Sequence, residues 1–261
     1  MVVVTPTSHG AGALRHPMRN EAPRLKARSS VRGMSSRLVA VTYDAQDPAA
    51  LAEFWGKLLG REVVPEDAGA LLPGDDTQVG LRFVAATTDV RAATLHLHLT
   101  STTQDDQQRT VETALGLGGR HLDVGQLPEE GHVVLADPEG NAFCVIESGN
   151  GFLAGCGFLG EVACDGGRDV GVFWSEALGW PLVWDQDDET AIQSPRGGTK
   201  VAWGGAPDSP ETRRDRQRFD LAAADVAAEV DRLVALGATR LGDRDDGVEL
   251  ADPGGHEFVV A

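Results

Sequence analysis

The chain has 261 residues, 41% of them hydrophobic, which is enough for one large or two ordinary domains with real cores. Its 23 basic and 40 acidic residues leave a formal charge of −17, which argues against nucleic-acid backbones as partners; solubility explains the acidity most simply, a cationic ligand less so. No apolar run approaches the ~18 residues of a membrane span, and three cysteines, Cys144, Cys156 and Cys164, form an odd set without a disulfide framework, so a reducing, cytoplasmic setting is expected.

Residues 1–35 differ from the rest. Arg15, Arg19, Arg24, Lys26, Arg28 and Arg32 stand there against one acid, Glu21, with no sustained periodicity. A disordered or non-native leader is expected. Alternatives are an organellar transit peptide and a start of translation at Met34; Val2-Val3-Val4 is too short an apolar core for a secretory signal.

From Arg37 the pattern becomes regular. Residues 38–43 read as a strand, and Asp47-Pro48 opens a helix with Asp as N-cap and Pro in the first turn. Leu51, Phe54, Trp55, Leu58 and Leu59 recur at spacings of three and four, forming one apolar stripe that ends at Gly60. Strands at 62–64, 70–72 and 79–85 complete a β-α-β-β-β unit. A second unit follows in the same order: strand 94–99 (TLHLHL), helix 103–117 stopped by Gly118-Gly119, and strands at 120–124, 132–136 and 142–146. Gly149-Asn150-Gly151 marks a domain boundary, separating residues 36–149 from 155–261.

The second half repeats the first. Phe54-Trp55 followed by Leu59-Gly60 returns 119 residues later as Phe173-Trp174 followed by Leu178-Gly179. The stretch ADPEGNAFCV at 136–145 returns as ADPGGHEFVV at 251–260. In both, Asp-Pro-x-Gly between apolar runs reads as a tight hairpin turn, because Pro fixes its own φ and Gly tolerates φ > 0. The period is far too long for a solenoid.

Paired βαβββ units, the F-W-x3-L-G helix and D-P-x-G-N before a last strand resemble the vicinal oxygen chelate superfamily, which includes glyoxalase I, extradiol dioxygenases, fosfomycin-resistance enzymes and bleomycin-binding proteins. The similarity covers residues 36–261 and is closest to glyoxalase-like domain proteins. It implies an α+β fold of tandem domains, each with two βαβββ units curling a mixed sheet into a half-open cup, helices outside and a ligand inside. Taking consecutive units as one cup, His96, His98 and Cys144 enter the first cup with Thr42 and Asp44, while Glu161, Arg218 and Asp220 enter the second. Trp184 and Trp203 lie on strands, where they would stack on a planar ligand or pack between domains.

Superfamily members with a catalytic metal carry His or Glu on the first and last strands of each unit. Here the first cup offers Ala40, Arg82 or Val84, His96 and Cys144. The second offers Leu159, the Ala202-Trp203 neighbourhood, Arg218 and Val259. No metal site is therefore expected; His96 and Cys144 are the weak candidates, with His98 able to join, and a divalent metal would find an incomplete set.

The function expected is binding of a small molecule in one or both cups, of the resistance or sequestration type and without a cofactor. Thr42, Glu161, Arg218, Asp220 and Trp203 are the candidate ligand contacts. The alternative is a lyase, isomerase or dioxygenase using His96, His98 and Cys144, with Asp44 orienting a histidine base, with or without a divalent metal. A degenerate domain used for regulation or assembly is a third reading. Neither nucleic acid nor membrane is an expected partner, and the chain is expected to be a monomer or homodimer.

Overall fold

A computed structural model of the chain describes residues 36–86, 93–127, 130–204 and 216–261. The expected leader lies outside the described residues.

Among the described residues four βαβββ units follow one another. The first runs β1 (Arg37–Ala45), α1 (Pro48–Leu59), β2 (Val64–Glu66), β3 (Gly69–Leu72) and β4 (Gly80–Ala85). The second runs β5 (Leu95–Leu99), α2 (Gln104–Gly116), β6 (Arg120–His121), β7 (Val133–Ala136) and β8 (Ala142–Val145). The third has β9 (Leu159–Asp165), α3 (Arg168–Leu178), β10 (Leu182–Gln186), β11 (Glu189–Gln193) and β12 (Lys200–Gly204). The fourth has β13 (Gln217–Ala222), α4 (Val226–Leu236), β14 (Thr239–Arg244), β15 (Gly247–Ala251) and β16 (Glu257–Val260).

Local chemistry sets the ends of the helices. The Asp47 carboxylate accepts from the Ala50 amide at 3.0 Å, Pro48 occupies the first turn, and Gly60 ends α1 in the left-handed region at φ 66°. Thr103 and Asp225 cap α2 and α4 in the same way. Alternation sets the strand faces. Leu95, Leu97 and Leu99 enter the main core, and His96 and His98 lie on the opposite, partly exposed face. Phe143 and Val145 join that core, whereas Cys144 and Ile146 belong to a separate small cluster on the other side.

The strands form two eight-stranded sheets, ordered β14-β15-β16-β13-β1-β4-β3-β2 and β10-β11-β12-β9-β5-β8-β7-β6. The first sheet joins units one and four; the second joins units two and three. Cups built from units one and two and from units three and four, as the sequence suggested, are therefore corrected. β1 pairs antiparallel with β13, placing Thr42 opposite Arg218, and β5 pairs antiparallel with β9, placing His98 opposite Glu161.

Units one and two, and likewise units three and four, meet instead through helix and hairpin. The indole N–H of Trp55 on α1 donates to Asp137 in the β7–β8 hairpin at 3.1 Å, and that of Trp174 on α3 donates to Asp252 in the β15–β16 hairpin at 2.9 Å. Asp137 is fully buried and also accepts from the Glu139 and Asn141 amides and the Asn141 side chain. Burial nonetheless holds its carboxyl above the ordinary range, against these hydrogen bonds. The Asp of each Asp-Pro-x-Gly turn thus shapes its hairpin and ties it to the preceding unit.

One core extends between the sheets and helices, including Val41 and Tyr43 of β1, the β5 leucines, Trp55, Trp174, Phe143 and Phe258. The sheets touch where the β11–β12 turn meets the β3–β4 turn. The Thr199 amide donates to the Thr77 carbonyl at 2.7 Å, and a Cβ added at Gly198, at φ 90°, would lie 1.6 Å from that same carbonyl oxygen. Among the described residues no helix is long and apolar enough to cross a membrane.

Candidate functional site

The second sheet carries the densest chemistry. Its register aligns Lys200 with Glu161, Glu161 with His98 and His98 with Cys144, forming one row across β12, β9, β5 and β8. Neighbouring strands lie about 4.8 Å apart, so adjacent side chains in the row are within interaction range. His98 Nδ1 lies 2.5 Å from Glu161 Oε2. Glu161 and Cys144 are each only 6% exposed. The His96 ring sits beside His98 with centroids 4.7 Å apart, and the donor atoms of His96, His98 and Cys144 all lie within 4.8 Å of one another. Burial by itself would lower the His98 pKa; the Glu161 charge, reinforced by hydrogen bonding from Cys144 and Glu161, raises it to about 10. At neutral pH His98 is therefore an imidazolium.

A glycine-rich strap between β8 and β9 covers this row. Leu153 and Cys156 are buried in one cluster with Cys144, Val134 and Ile146. Phe152 packs edge-on against Trp184 at 6.0 Å, and its carbonyl accepts from Lys200, whose ammonium lies 4.1 Å above the Phe152 ring centroid. From the other sheet, the Gln78 side chain donates to the Cys156 carbonyl at 2.8 Å.

The first sheet carries an ionic wall. Thr42 Oγ1 and Arg82 Nη1 both donate to Asp220 Oδ2 at 2.5 Å, Arg82 Nε donates to Glu66 at 2.8 Å, and Arg218 Nη1 donates to Asp44 at 2.8 Å. Arg218 Nε and Asp220 Oδ1, 3.7 Å apart, are buried and without a hydrogen-bond partner among the described residues.

These placements rearrange the expected constellations. Asp44 and Thr42 do not accompany His96; they lie in the other sheet, with Arg218 and Asp220. Glu161 leaves Arg218 and Asp220 and pairs with His98. Trp203 lies on the core face of β12, away from the other expected ligand contacts: 2% exposed, it stacks on Trp174 at 6.4 Å with rings 6° from parallel. The alternation of Lys200, Val201, Ala202 and Trp203 carried that signal, because Trp203 shares its face with Val201. Lys200, Glu66 and the strap were missed, since their roles depend on which strands become neighbours.

The metal that the resemblance implies can be tested against these rows. In the first sheet Gly80, Ala40, Asp220 and Val259 are aligned, offering one carboxylate already held by Thr42 and Arg82. In the second sheet one place is an ammonium, and His98 is engaged with Glu161. His96, His98 and Cys144 are close enough to approach one ion, but the imidazolium must first give up the proton that Glu161 holds on it. The residues do not fit a four-ligand metal site.

Paired βαβββ units with mixed, open sheets and helices on one side define the vicinal oxygen chelate fold. The family model of the glyoxalase-like domain matches twice, over residues 40–146 and 161–261, and the chain belongs to that family. Among solved structures, glyoxalase I from Zea mays is similar at 17% identity, covering 87% of this chain and 92% of that one with a TM-score of 0.62. A Bacillus subtilis protein provisionally described as a dioxygenase is similar at 13% identity, covering 87% of this chain and 85% of that one with a TM-score of 0.54. At these identities the likeness concerns the fold alone. No curated protein matches the chain.

Proposed function

We propose that the protein binds a small polar molecule against the open face of the first sheet, without a metal, as a sequestering or resistance-type member of its family. The observation that carries this reading is the ionic wall of Thr42, Asp44, Arg82, Arg218 and Asp220, in which Arg218 Nε and Asp220 Oδ1 are buried with unmet hydrogen-bonding capacity. An unpartnered buried polar atom costs about 1–3 kcal/mol. A ligand that draws this 3.7 Å ion pair apart, accepting from Arg218 and donating to Asp220, recovers that cost on binding. The arginine side chains supply planar donor arrays suited to carboxyl, amide or phosphate oxygens.

A thermal-shift screen of metabolites and antibiotics, run with and without EDTA and followed by calorimetry of the hits, tests the proposal. Expected are ligands whose affinity is unchanged by EDTA and falls at least tenfold in Arg82→Ala or Asp220→Asn. Affinity abolished by chelation, or unaffected by both substitutions, refutes it.

A further inference from the structure

The sheet-two row has a property that sheet one lacks. Read across the strands, it places an ammonium (Lys200), a carboxylate (Glu161), an imidazolium (His98) and a thiol (Cys144) side by side. The aligned positions in sheet one are Gly80, Ala40, Asp220 and Val259, with a single charge. A Cys144 thiolate would complete an alternation of charge across four strands, with each ion flanked by its opposite. Glu161 holds Nδ1 of His98 at 2.5 Å, which leaves the second ring nitrogen as the one available to the Cys144 side. This is the arrangement of a nucleophile, a proton-carrying imidazole and an orienting carboxylate.

We infer that Cys144, His98 and Glu161 form a thiol centre that captures an electrophilic small molecule covalently, the substrate class being activated alkenes such as α,β-unsaturated carbonyl compounds. The inference is independent of the ligand wall in sheet one. The contact between His98 Nδ1 and the Glu161 carboxylate selects the reaction, because a carboxylate at one ring nitrogen favours the ring that carries both protons. A protonated imidazole cannot act as a base toward a thiol, but it can protonate a carbanion. In the addition, a lone pair of the Cys144 thiolate forms the S–C bond at the β-carbon of the alkene. The π pair moves to the α-carbon, which takes the proton from His98. The thiol proton leaves to solvent as the thiolate forms, and solvent returns one proton to the imidazole after the addition. Overall a thiol adds across C=C, with no leaving group and no oxidant. Cys144 and His98 are catalytic residues in this scheme. Glu161 is a positioning residue, and the strap over Leu153 limits entry.

Cys156 and Cys164 are buried controls within the same chain; burial pushes the Cys156 thiol up. The experiment treats the native protein with N-ethylmaleimide and measures adduct formation at each cysteine by quantitative peptide mass spectrometry. It is run on wild type, Glu161→Gln, His98→Gln and Leu153→Ala, the last loosening the strap that packs on Cys144 and carries Cys156, so that Cys164 is the control for that variant. The expected result is labelling of Cys144 at least tenfold faster than Cys156 and Cys164 in wild type or, where the strap is rate-limiting, than Cys164 in Leu153→Ala. Glu161→Gln and His98→Gln should slow Cys144 at least fivefold and leave Cys164 unchanged. In Glu161→Gln the loss of rate at alkaline pH, which follows deprotonation of His98, should move to lower pH. Equal labelling of all three cysteines in wild type, together with equal labelling of Cys144 and Cys164 in Leu153→Ala, overturns the inference. So does a Glu161→Gln effect shared equally by the three, because that reports only loosened packing.

Discussion

The His98–Glu161 pair gives the protein a pH dependence of stability whose sign follows from one raised pKa. In the fold the imidazolium persists to about pH 10, whereas in an unfolded chain it titrates near 6.5. Below about pH 6.5 both states carry the proton and the stabilisation is complete. Above that value unfolding releases a proton, so stability falls by about 1.4 kcal/mol per pH unit, and this contribution is gone once pH passes about 10. Between pH 7 and pH 9 the loss amounts to about 2–3 kcal/mol. Glu161→Gln removes the charge that raises the pKa most. It should lower stability at pH 7 by about 3 kcal/mol, as breaking a buried ion pair does, and flatten the dependence between pH 7 and 9. Urea unfolding of both proteins at pH 7, 8 and 9, extrapolated to water, makes the comparison and cancels titrations common to both. Parallel slopes, agreeing within about 0.5 kcal/mol over that interval, would refute the assignment of His98 as an imidazolium held by Glu161.

Three further outcomes follow from the packing. Trp55→Phe and Trp174→Phe each remove one indole donor to a buried carboxylate; each should cost about 2–3 kcal/mol in chemical denaturation, and the double variant close to the sum, because the sites share no partner. Gly198→Ala should destabilise by more than about 1 kcal/mol in the same measurement, since the new Cβ meets the Thr77 carbonyl at a positive φ. Residues 36–150 and 151–261, produced separately, should not yield folded monomers by size-exclusion chromatography, whereas co-production should yield a one-to-one complex, because β1–β13 and β5–β9 pairing crosses between the halves. A stable monomeric half would contradict the sheet order.

Much of the architecture was legible because local chemistry determines it. The α1 stripe, the Asp47 cap and both Asp-Pro-x-Gly hairpins needed no tertiary information. The alternation of β5 and β8 likewise assigned His96, His98 and Cys144 to the face away from the core. What could not be read was which strand lies beside which. Alternation gives each strand two faces and says nothing about its neighbour, so Glu161 was grouped with Arg218 and Asp44 with His96. The buried role of Asp137 was hidden for the same reason: its indole donor is 82 positions away. Trp203 is a different case, in which the size of an aromatic side chain outweighed an alternation that pointed to the core.

The crossed pairing of units also bears on how two unlike faces came to coexist in one chain. A half-molecule associating with a second copy of itself would build both sheets from the same two units, and every substitution would appear on both faces at once. Joining the halves covalently removes that symmetry. Equivalent places now hold His98 and Asp220, Cys144 and Val259, Glu161 and Ala40, so one face has become a thiol–imidazole row and the other an ionic wall. Each face still draws one unit from each half, and a repeat can therefore specialise a face only together with the other repeat.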